Sequence, residues 1–477
     1  MKKFFFFTTT ILAIGTQAFS QDKWDLRRCV EYAVANNIQV QQAAVQERLS
    51  KLIHAQSKDG QWPTANFGLS YGLQNGRSID PTTNQFINQQ VGVMNPQLQT
   101  GVTLFNWGSV KNTIAANRLT LEADRQQTEK IRSDIKLNVA NSYLQALLAY
   151  QQIDAANVVF AQSKEQLYFT RKRVQAGALP ELNAAELEAQ LARDSATLLV
   201  NQSNYLLNLL QLKALLNMDA STPFDIATPP VALIPVEPIA ELEPAMVYQM
   251  AVKSQPLQKA DELRLQSAQK STQAAKGKMY PTISAFGNLQ SSFATSNKTP
   301  NGQPVVSYIA SPAYINLNGT SYFVQSPSTK YNSFKTTNTF TQLSDNFRQS
   351  VGLSLQVPIF NGNQARTNWQ RSKLAEENAS LQMRADSMTL KQNIYQAYQS
   401  AINSLQAYNS RTKTVELAEK SYILGKKRYE VGLLTTLELI TLQSNLQKAR
   451  VDELSSHFEY VFRLKVLEFY KNNGIKL

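Results

Sequence analysis

The sequence predicts an α+β membrane protein in which long coiled-coil helices and four antiparallel strands form two copies of one unit. Residues 107–217 and 362–472 match at an offset of about 255, with apolar positions in register, which indicates a duplication. Four segments of about ten residues alternate apolar and polar side chains, the period of a β-strand. Runs of about 64 residues, interrupted only by Gly425, predict helices about 96 Å long, too long for an ordinary globular domain.

The bulk composition excludes several classes of site. The chain has 477 residues, one cysteine (Cys29) and two histidines (His54 and His457), so it predicts no intramolecular disulfide, no histidine metal cluster and no cofactor. The formal charge of +13 is spread among acidic residues along the helices, without a long basic run. Nucleic-acid binding usually requires a clustered basic patch, so no nucleic-acid partner is predicted.

The first 20 residues have the pattern of a secretory signal peptide. Lys2 and Lys3 precede an apolar core, Phe4–Ile14, and the predicted cleavage site follows at Ala18-Phe19-Ser20. The alternative is a membrane anchor, but the apolar core is shorter than the roughly 20 residues that a spanning helix needs. The sequence therefore predicts cleavage and export.

The first structural repeat covers residues 21–220. Its opening helix is predicted from Leu26 to about Lys58, with Asp25 as the N-cap. Strands follow at 65–74 and 98–104, with a polar loop at 75–96 between them. A long helix from about residue 109 to 172 then leads through a glycine turn to a return helix, Asn183–Asn217.

The second repeat covers residues 245–477, after a connector, 221–244, that holds six prolines and is predicted to be extended. Pro256 is predicted to break its opening helix. Its strands begin at Ile283 and Val351, and the return helix is Glu438–Asn472. A net insertion of about 37 residues predicts a long exposed loop at about 294–346.

The long helix of the second repeat carries an apolar heptad seam, which predicts the core of a coiled coil. Its members are Leu374, Leu381, Met388, Tyr395 and Ile402.

The strands have the length of membrane-spanning barrel strands, which need about 9–11 residues. Taken singly, each also fits a half-buried strand of a soluble sheet. No open sheet edge survives in lipid, and single-chain barrels start at about eight strands, so strands in a membrane predict that several chains close the barrel together.

In this order, the repeated motifs resemble those of the TolC family of outer-membrane efflux proteins, over nearly all of the chain beyond the signal peptide. They are Trp62-Pro63-Thr64 and Tyr280-Pro281-Thr282 before the strands, Pro358-Ile359-Phe360-Asn361-Gly362 after them, and the turns Arg173-x-x-x-Gly177-Ala178-Leu179 and Arg428-x-x-x-Gly432-Leu433-Leu434. The resemblance implies a homotrimer with a twelve-stranded barrel in the outer membrane and a helical tunnel, the α-barrel, in the periplasm.

The same resemblance implies a passive exit channel of a tripartite efflux pump or type I secretion system. Its implied partners are outer-membrane lipid, a periplasmic adaptor and an inner-membrane transporter. In the family, acidic residues after the tip glycines form rings at a periplasmic gate, and the matching positions are Asn183 and Glu438. The alternative for Glu438 is a carboxylate that complements a helix N-terminus.

Adaptor docking is implied at the tip turns. The residues are Gly177, Ala178, Leu179, Gly432, Leu433 and Leu434. Leu434 replaces an arginine that closes the gate in the family prototype, and Thr441 replaces a second acid, so the prototype's closed-state contacts are not expected here.

Two other functions compete with the channel. An enzyme is disfavoured because the one GxSxG string, residues 68–72, lies in an alternating strand and not in the strand-to-helix turn of a nucleophile elbow. A soluble periplasmic coiled-coil scaffold or adaptor explains the helices but not four similar strands.

Overall fold

The computed structural model describes residues 23–79, 85–229, 234 and 236–472, so the predicted signal peptide lies outside the described residues. The chain folds as two units, and each unit draws on both repeats. The helical unit comprises residues up to Leu52, Arg118–Ser267 and residues from Ala375 onward; the sheet unit comprises Ile53–Asn117 and Ala268–Leu374.

The opening helix of each repeat is broken in two. The first repeat has α1 (Leu26–Asn36) and α2 (Ile38–Asp59). In α1, the Asp25 carboxylate accepts the Arg28 N–H at 2.7 Å, as the N-cap prediction requires. The prediction of one continuous helix from Leu26 to Lys58 is wrong, because Asn37 takes an extended conformation with ψ near 130°.

The second repeat is broken at the equivalent place, with a proline where the first repeat has Ile38. Here α5 (Pro244–Ser254) and α6 (Pro256–Gly277) meet at Gln255, which is also extended, and the break predicted at Pro256 is present. In both repeats the breaking residue sends its side-chain amide to a carbonyl of the return helix. Asn37 Nδ2 donates to Leu215 O at 3.0 Å, and Gln255 Nε2 donates to Tyr470 O at 3.3 Å. The interhelical hydrogen bond thus accompanies the break in each copy.

Four long strands form an antiparallel sheet in the order β1-β2-β3-β9. They are β1 (Thr64–Ile79), β2 (Phe86–Phe105), β3 (Thr282–Gln290) and β9 (Arg348–Gln356). The prediction of a loop is wrong for residues 75–79 and 86–96, because β1 and β2 stay paired from Thr64↔Gly101 to Ile79↔Phe86. Backbone pairing continues where the side chains become polar. The alternation of apolar and polar residues therefore stops before the strands do, and the sequence did not reveal their full length.

The register aligns like faces across all four strands. The apolar face carries Phe67, Leu98 and Leu289 in one transverse row, which ends at Gln349 in β9, and the polar face carries Asn66, Gln99, Asn288 and Ser350 in the next. The apolar side chains are not covered within the chain: Val351 is 89% exposed. The sheet therefore has one apolar and one polar surface.

The insertion in the second repeat, predicted as a long exposed loop at about 294–346, contains regular secondary structure. It contains β4 (Phe293–Ala294), β5 (Lys298–Asn301), β6 (Val305–Leu317), β7 (Thr320–Lys330), β8 (Ser333–Thr336) and α7 (Thr339–Asp345). Strand β5 pairs with β8, and β6 pairs with β7. Its Ser-, Thr- and Tyr-rich composition suits strands as well as loops, which is why composition alone was misleading.

The long helices are α3 (Ser109–Gln175) and α8 (Gln364–Glu430), each of 67 residues, and the return helices are α4 (Glu181–Leu216) and α9 (Thr436–Asn472). The heptad seam of α8 is not a core within this chain: Leu374 is 65% and Met388 67% exposed. The buried side of α8 is another face, which includes Ile394 and Ala401.

Two equivalent cores lie in the helical unit. In the first repeat, Cys29, Ala33, Val139 and Leu212 pack together and are fully buried. In the second, their counterparts are Val247, Ala251, Ile394 and Leu467, also fully buried. The matched pairs Val139/Ile394 and Leu212/Leu467 are therefore core positions in both copies.

The described part of the proline-rich connector is largely extended, as predicted, apart from a short 3-10 helix at Ile239–Glu241, and it packs against the helices. Trp24 pairs with Ile226 in a parallel bridge, through hydrogen bonds of 3.0 Å to Asp225 O and 2.8 Å from the Ala227 N–H. Ile226 and Leu242 are fully buried, one in each core. The connector therefore contributes to both cores.

Candidate functional site at the helix tips

Both tip turns end a long helix in the same way. The N–H of Ala178 donates to Arg173 O at 2.9 Å, and the N–H of Leu433 donates to Arg428 O at 2.8 Å. Gly177 and Gly432 take φ values of 73° and 79°, in the left-handed region. This is the Schellman arrangement, in which glycine avoids the strain that a side chain would bring.

Glu438 caps its own helix. Its Oε2 accepts the Thr435 N–H at 2.9 Å and the Thr435 hydroxyl at 2.8 Å, while the Glu438 N–H donates to Thr435 Oγ1 at 3.2 Å. This is a capping box, and the Thr-x-x-Glu spacing in the sequence is its signal. The backbone hydrogen bond from Thr435 lowers the pKa of Glu438 below its ordinary value, so the exposed carboxylate is ionised at neutral pH.

Asn183, the matching position in the first repeat, has a different partner. Its Nδ2 donates to Thr436 Oγ1 at 2.7 Å, and Thr436 is almost fully buried at the start of α9. The Tyr429 hydroxyl lies 3.5 Å from the same Thr436 oxygen. The structure thus joins the tips of the two repeats through Asn183. No sequence motif marks this contact between residues 253 positions apart.

The predicted docking residues differ in accessibility. Gly177, Ala178, Gly432 and Leu433 are exposed, and Leu433 is 68% exposed. Leu179 and Leu434 are only partly exposed.

Leu434 contacts the other side of its own helical hairpin. It lies beside Gly425 in α8, and a Cβ at Gly425 would also collide with the side chain of Leu442. Gly425, which interrupted the predicted helix, therefore gives α9 the space for a close approach. At the second departure from the family pattern, the Thr441 hydroxyl donates to Leu437 O at 2.8 Å within α9.

Two further apolar residues at the tips were missed by the sequence reasoning. Leu182 is 66% and Leu437 59% exposed, and they occupy equivalent positions one residue before Asn183 and Glu438. The feature that could have identified them is an apolar residue in the first turn of each return helix, which is exposed. Basic residues end both long helices, Lys172 and Arg173 in α3 and Lys427 and Arg428 in α8. The tips therefore combine apolar side chains with charges of both signs, since Glu181, Glu430 and Glu438 lie there too.

The described residues hold neither a membrane-spanning helix nor a cluster of metal ligands. Among them, no helix is long and apolar enough to cross a bilayer. Within the same ranges, no group of three or more His, Cys, Asp or Glu residues is placed to hold a metal ion.

Comparisons with known proteins identify the family. The family model of the outer membrane efflux protein matches residues 30–218 and 247–457. No curated protein matched the chain. Among solved structures, the CmeC outer membrane channel of Campylobacter jejuni has a TM-score of 0.70 at 15% identity, with 94% of this chain and 86% of that chain covered.

Two other solved channels are similar to the same extent. VceC of Vibrio cholerae has a TM-score of 0.68 at 15% identity, covering 94% of this chain and 96% of that chain. The MtrE outer membrane channel of Neisseria gonorrhoeae, solved in its open state, has 0.68 at 16% identity, with 94% and 88% covered. At these identities the likeness shows the fold, which is TolC-like as the sequence predicted. The family consists of transport channels and not of enzymes. With both repeats matched by the family model, the chain belongs to the outer membrane efflux protein family.

Proposed function

We propose that the chain is one third of an outer-membrane exit channel that conducts substrates passively from the periplasmic side to the exterior. The observation that carries this proposal is the sheet, which has one exposed apolar face, one polar face and two open edges. Among the described residues, β1 and β9 each pair with one strand only. Open edges are not tolerated in lipid, so neighbouring copies would pair with both edges and the apolar face would meet lipid.

The exposed heptad seam of α8 supports the same assembly. Leu374, Leu381, Met388 and Tyr395 present a row of apolar side chains that the described residues leave between 45% and 67% exposed. Rows of this kind at seven-residue spacing pack against another helix. A neighbouring subunit of a trimer would supply that helix, and three chains would give a twelve-stranded barrel continued by a periplasmic tunnel.

In this proposal the tips bind a periplasmic adaptor, and the adaptor links the channel to an inner-membrane transporter. Exposed apolar residues rimmed by charge are typical of protein–protein contacts. Leu433 and Leu437 offer the apolar part, Arg428 the charge, and Gly177 and Gly432 the tight turns that expose them. Leu434 would contribute less, since it lies against Gly425.

Glu438 would act as a charge filter at the tunnel end. The capping box fixes the carboxylate at the first turn of α9 and keeps it ionised, so both roles considered for it are compatible. Three such carboxylates around the axis would favour cations. Asn183 would add no charge to this ring, because its amide serves the contact with Thr436.

Ion selectivity of the reconstituted channel tests the proposal. Glu438→Gln keeps a side-chain oxygen for the Thr435 N–H but removes the charge, whereas Glu438→Ala would also remove the cap. We expect a smaller reversal potential in a salt gradient for Glu438→Gln, and no change for Glu430→Gln, which alters another exposed carboxylate at the same tip. Equal reversal potentials for the wild type, Glu438→Gln and Glu430→Gln would show that Glu438 does not contribute to ion selectivity.

Membrane fractionation tests the channel itself against a periplasmic scaffold. The channel requires detergent for release and migrates as a trimer on native gels. Release by osmotic shock alone as a soluble monomer would refute the channel, whatever Glu438 does.

A further inference from the structure

The insertion presents a hairpin that no other described strand extends. We define the aromatic hairpin as β6 and β7, Val305–Leu317 and Thr320–Lys330. Among the described residues its two strands pair only with each other. Tyr314 lies opposite Phe323 on one face, and Ile315 lies opposite Tyr322 on the other. All four side chains are between 58% and 61% exposed.

A two-stranded ribbon of this kind is marginally stable in water by itself, and it needs packing on at least one face. Here both faces carry large apolar side chains. Exposed apolar patches on an otherwise soluble element mark a contact surface. The hairpin therefore requires a covering partner on each face.

The base of the hairpin is firmly attached to the sheet unit. Strand β4 pairs with β2, Thr295 Oγ1 accepts the Gly92 N–H at 2.9 Å, and the Thr295 N–H donates to Gly92 O at 2.9 Å. Gln342, 1% exposed, joins the two ends of the insertion by accepting the Ala294 N–H at 3.0 Å and donating to Thr337 O at 2.9 Å. We call β4 and α7, which these hydrogen bonds hold together, the stem of the insertion, and the hairpin extends from it.

The charge pattern favours identical copies as the covering partners. The sequence has no Asp, Glu, Lys or Arg from Thr299 to Thr329. Residues close to a rotation axis lie near their own copies, so a charge there would meet like charges that oppose the contact. A different protein partner would more usually be recognised through complementary charge, which this segment lacks.

The two apolar faces match a ring of three. In a cyclic trimer the contacts are heterologous, so one face of each hairpin touches the opposite face of the next. A single partner would need only one apolar face. The open edges of β1 and β9 already require neighbouring copies, which would hold the three hairpins at high effective concentration.

From these observations we infer that the aromatic hairpins of the three subunits pack face to back beyond the outer rim of the barrel, forming an extracellular cap. This inference rests on the proposed trimeric channel. It assigns the insertion a subunit contact that is separate from the barrel and from the helices.

Disulfide trapping in the native outer membrane tests the cap. Tyr314 and Tyr322 lie on opposite faces of one hairpin, so Tyr314→Cys/Tyr322→Cys cannot close a bond within its own hairpin, and Cys29 is buried. After mild oxidation we expect covalent dimers and trimers of this variant. Lys335→Cys, an exposed residue of β8 outside the hairpin, is expected to give about tenfold less.

The outcomes separate the cap from the channel. Native trimers without cross-linked subunits, or cross-links to a different envelope protein, would overturn the cap and leave the channel standing. The absence of any trimer on native gels would overturn both. Loss of the cross-link when Phe323→Ser is added, with the native trimer retained, would attribute the contact to the aromatic faces.

Discussion

Replacing Gln342 by leucine is expected to loosen the stem of the insertion without unfolding the rest of the chain. The change keeps the volume and removes both side-chain hydrogen bonds, those with the Ala294 N–H and Thr337 O. Each buried backbone group left unsatisfied costs about 1–3 kcal/mol, so the local destabilisation should be about 2–6 kcal/mol. Gln342 is 1% exposed, so water cannot replace these bonds without rearrangement.

Amide hydrogen exchange of the detergent-solubilised protein measures this effect. At about 1.4 kcal/mol per factor of ten, the exchange of amides in β4 and α7 should accelerate at least about thirtyfold. Protection in the helical unit should not change, because Gln342 has no bond to it among the described contacts. Gln325→Leu, at an exposed position of β7, is the matched control. Unchanged exchange in β4 for Gln342→Leu would refute the assignment of Gln342 as the clamp of the stem.

Two further predictions concern the helical unit. Burial and the nearby Asp386 raise the pKa of Asp261, so the folded protein loses stability as pH rises through that pKa and the carboxyl group ionises. Asp261→Asn should therefore raise the thermal midpoint at pH 7. The difference between variant and wild type should shrink below about pH 4, where Asp261 is protonated in the wild type. An equal advantage at both pH values would contradict this cause. Leu212→Ala and Leu467→Ala, at equivalent and fully buried positions, should each cost about 2–5 kcal/mol in thermal or denaturant unfolding, and a loss at only one of them would contradict the equivalence of the two cores.

The sequence was most informative where periodicity and duplication act together. The positions matched at the offset of about 255 include Val139 and Ile394, which are both fully buried, and the alternation of residues 65–73 gives the apolar face of β1. In these places burial is repeated along an element, so it leaves a periodic pattern that one sequence reveals.

The sequence was least informative where single contacts decide. At the break, the Asn37 side-chain amide bonds to Leu215 O. An asparagine in a segment of helical apolar periodicity does not by itself predict such a hydrogen bond. The heptad seam of α8 was visible, but its pattern does not say whether its partner belongs to the same chain. Met388 is 67% exposed, so the partner is not within the described chain.

The divergence of the two tips follows from the residue that precedes each return helix. Thr435 has a hydroxyl and an N–H, and Glu438 bonds to both. The equivalent Pro180 has neither, and it makes no side-chain cap. A glutamate in place of Asn183 would lose the capping partners that hold Glu438, and its carboxylate would have no N–H to donate to the buried Thr436 oxygen. The proline thus excludes a capping box in the first repeat, and the amide of Asn183 is free to join the tips. In a trimer this leaves three fixed carboxylates at the equivalent positions, all supplied by the second repeat.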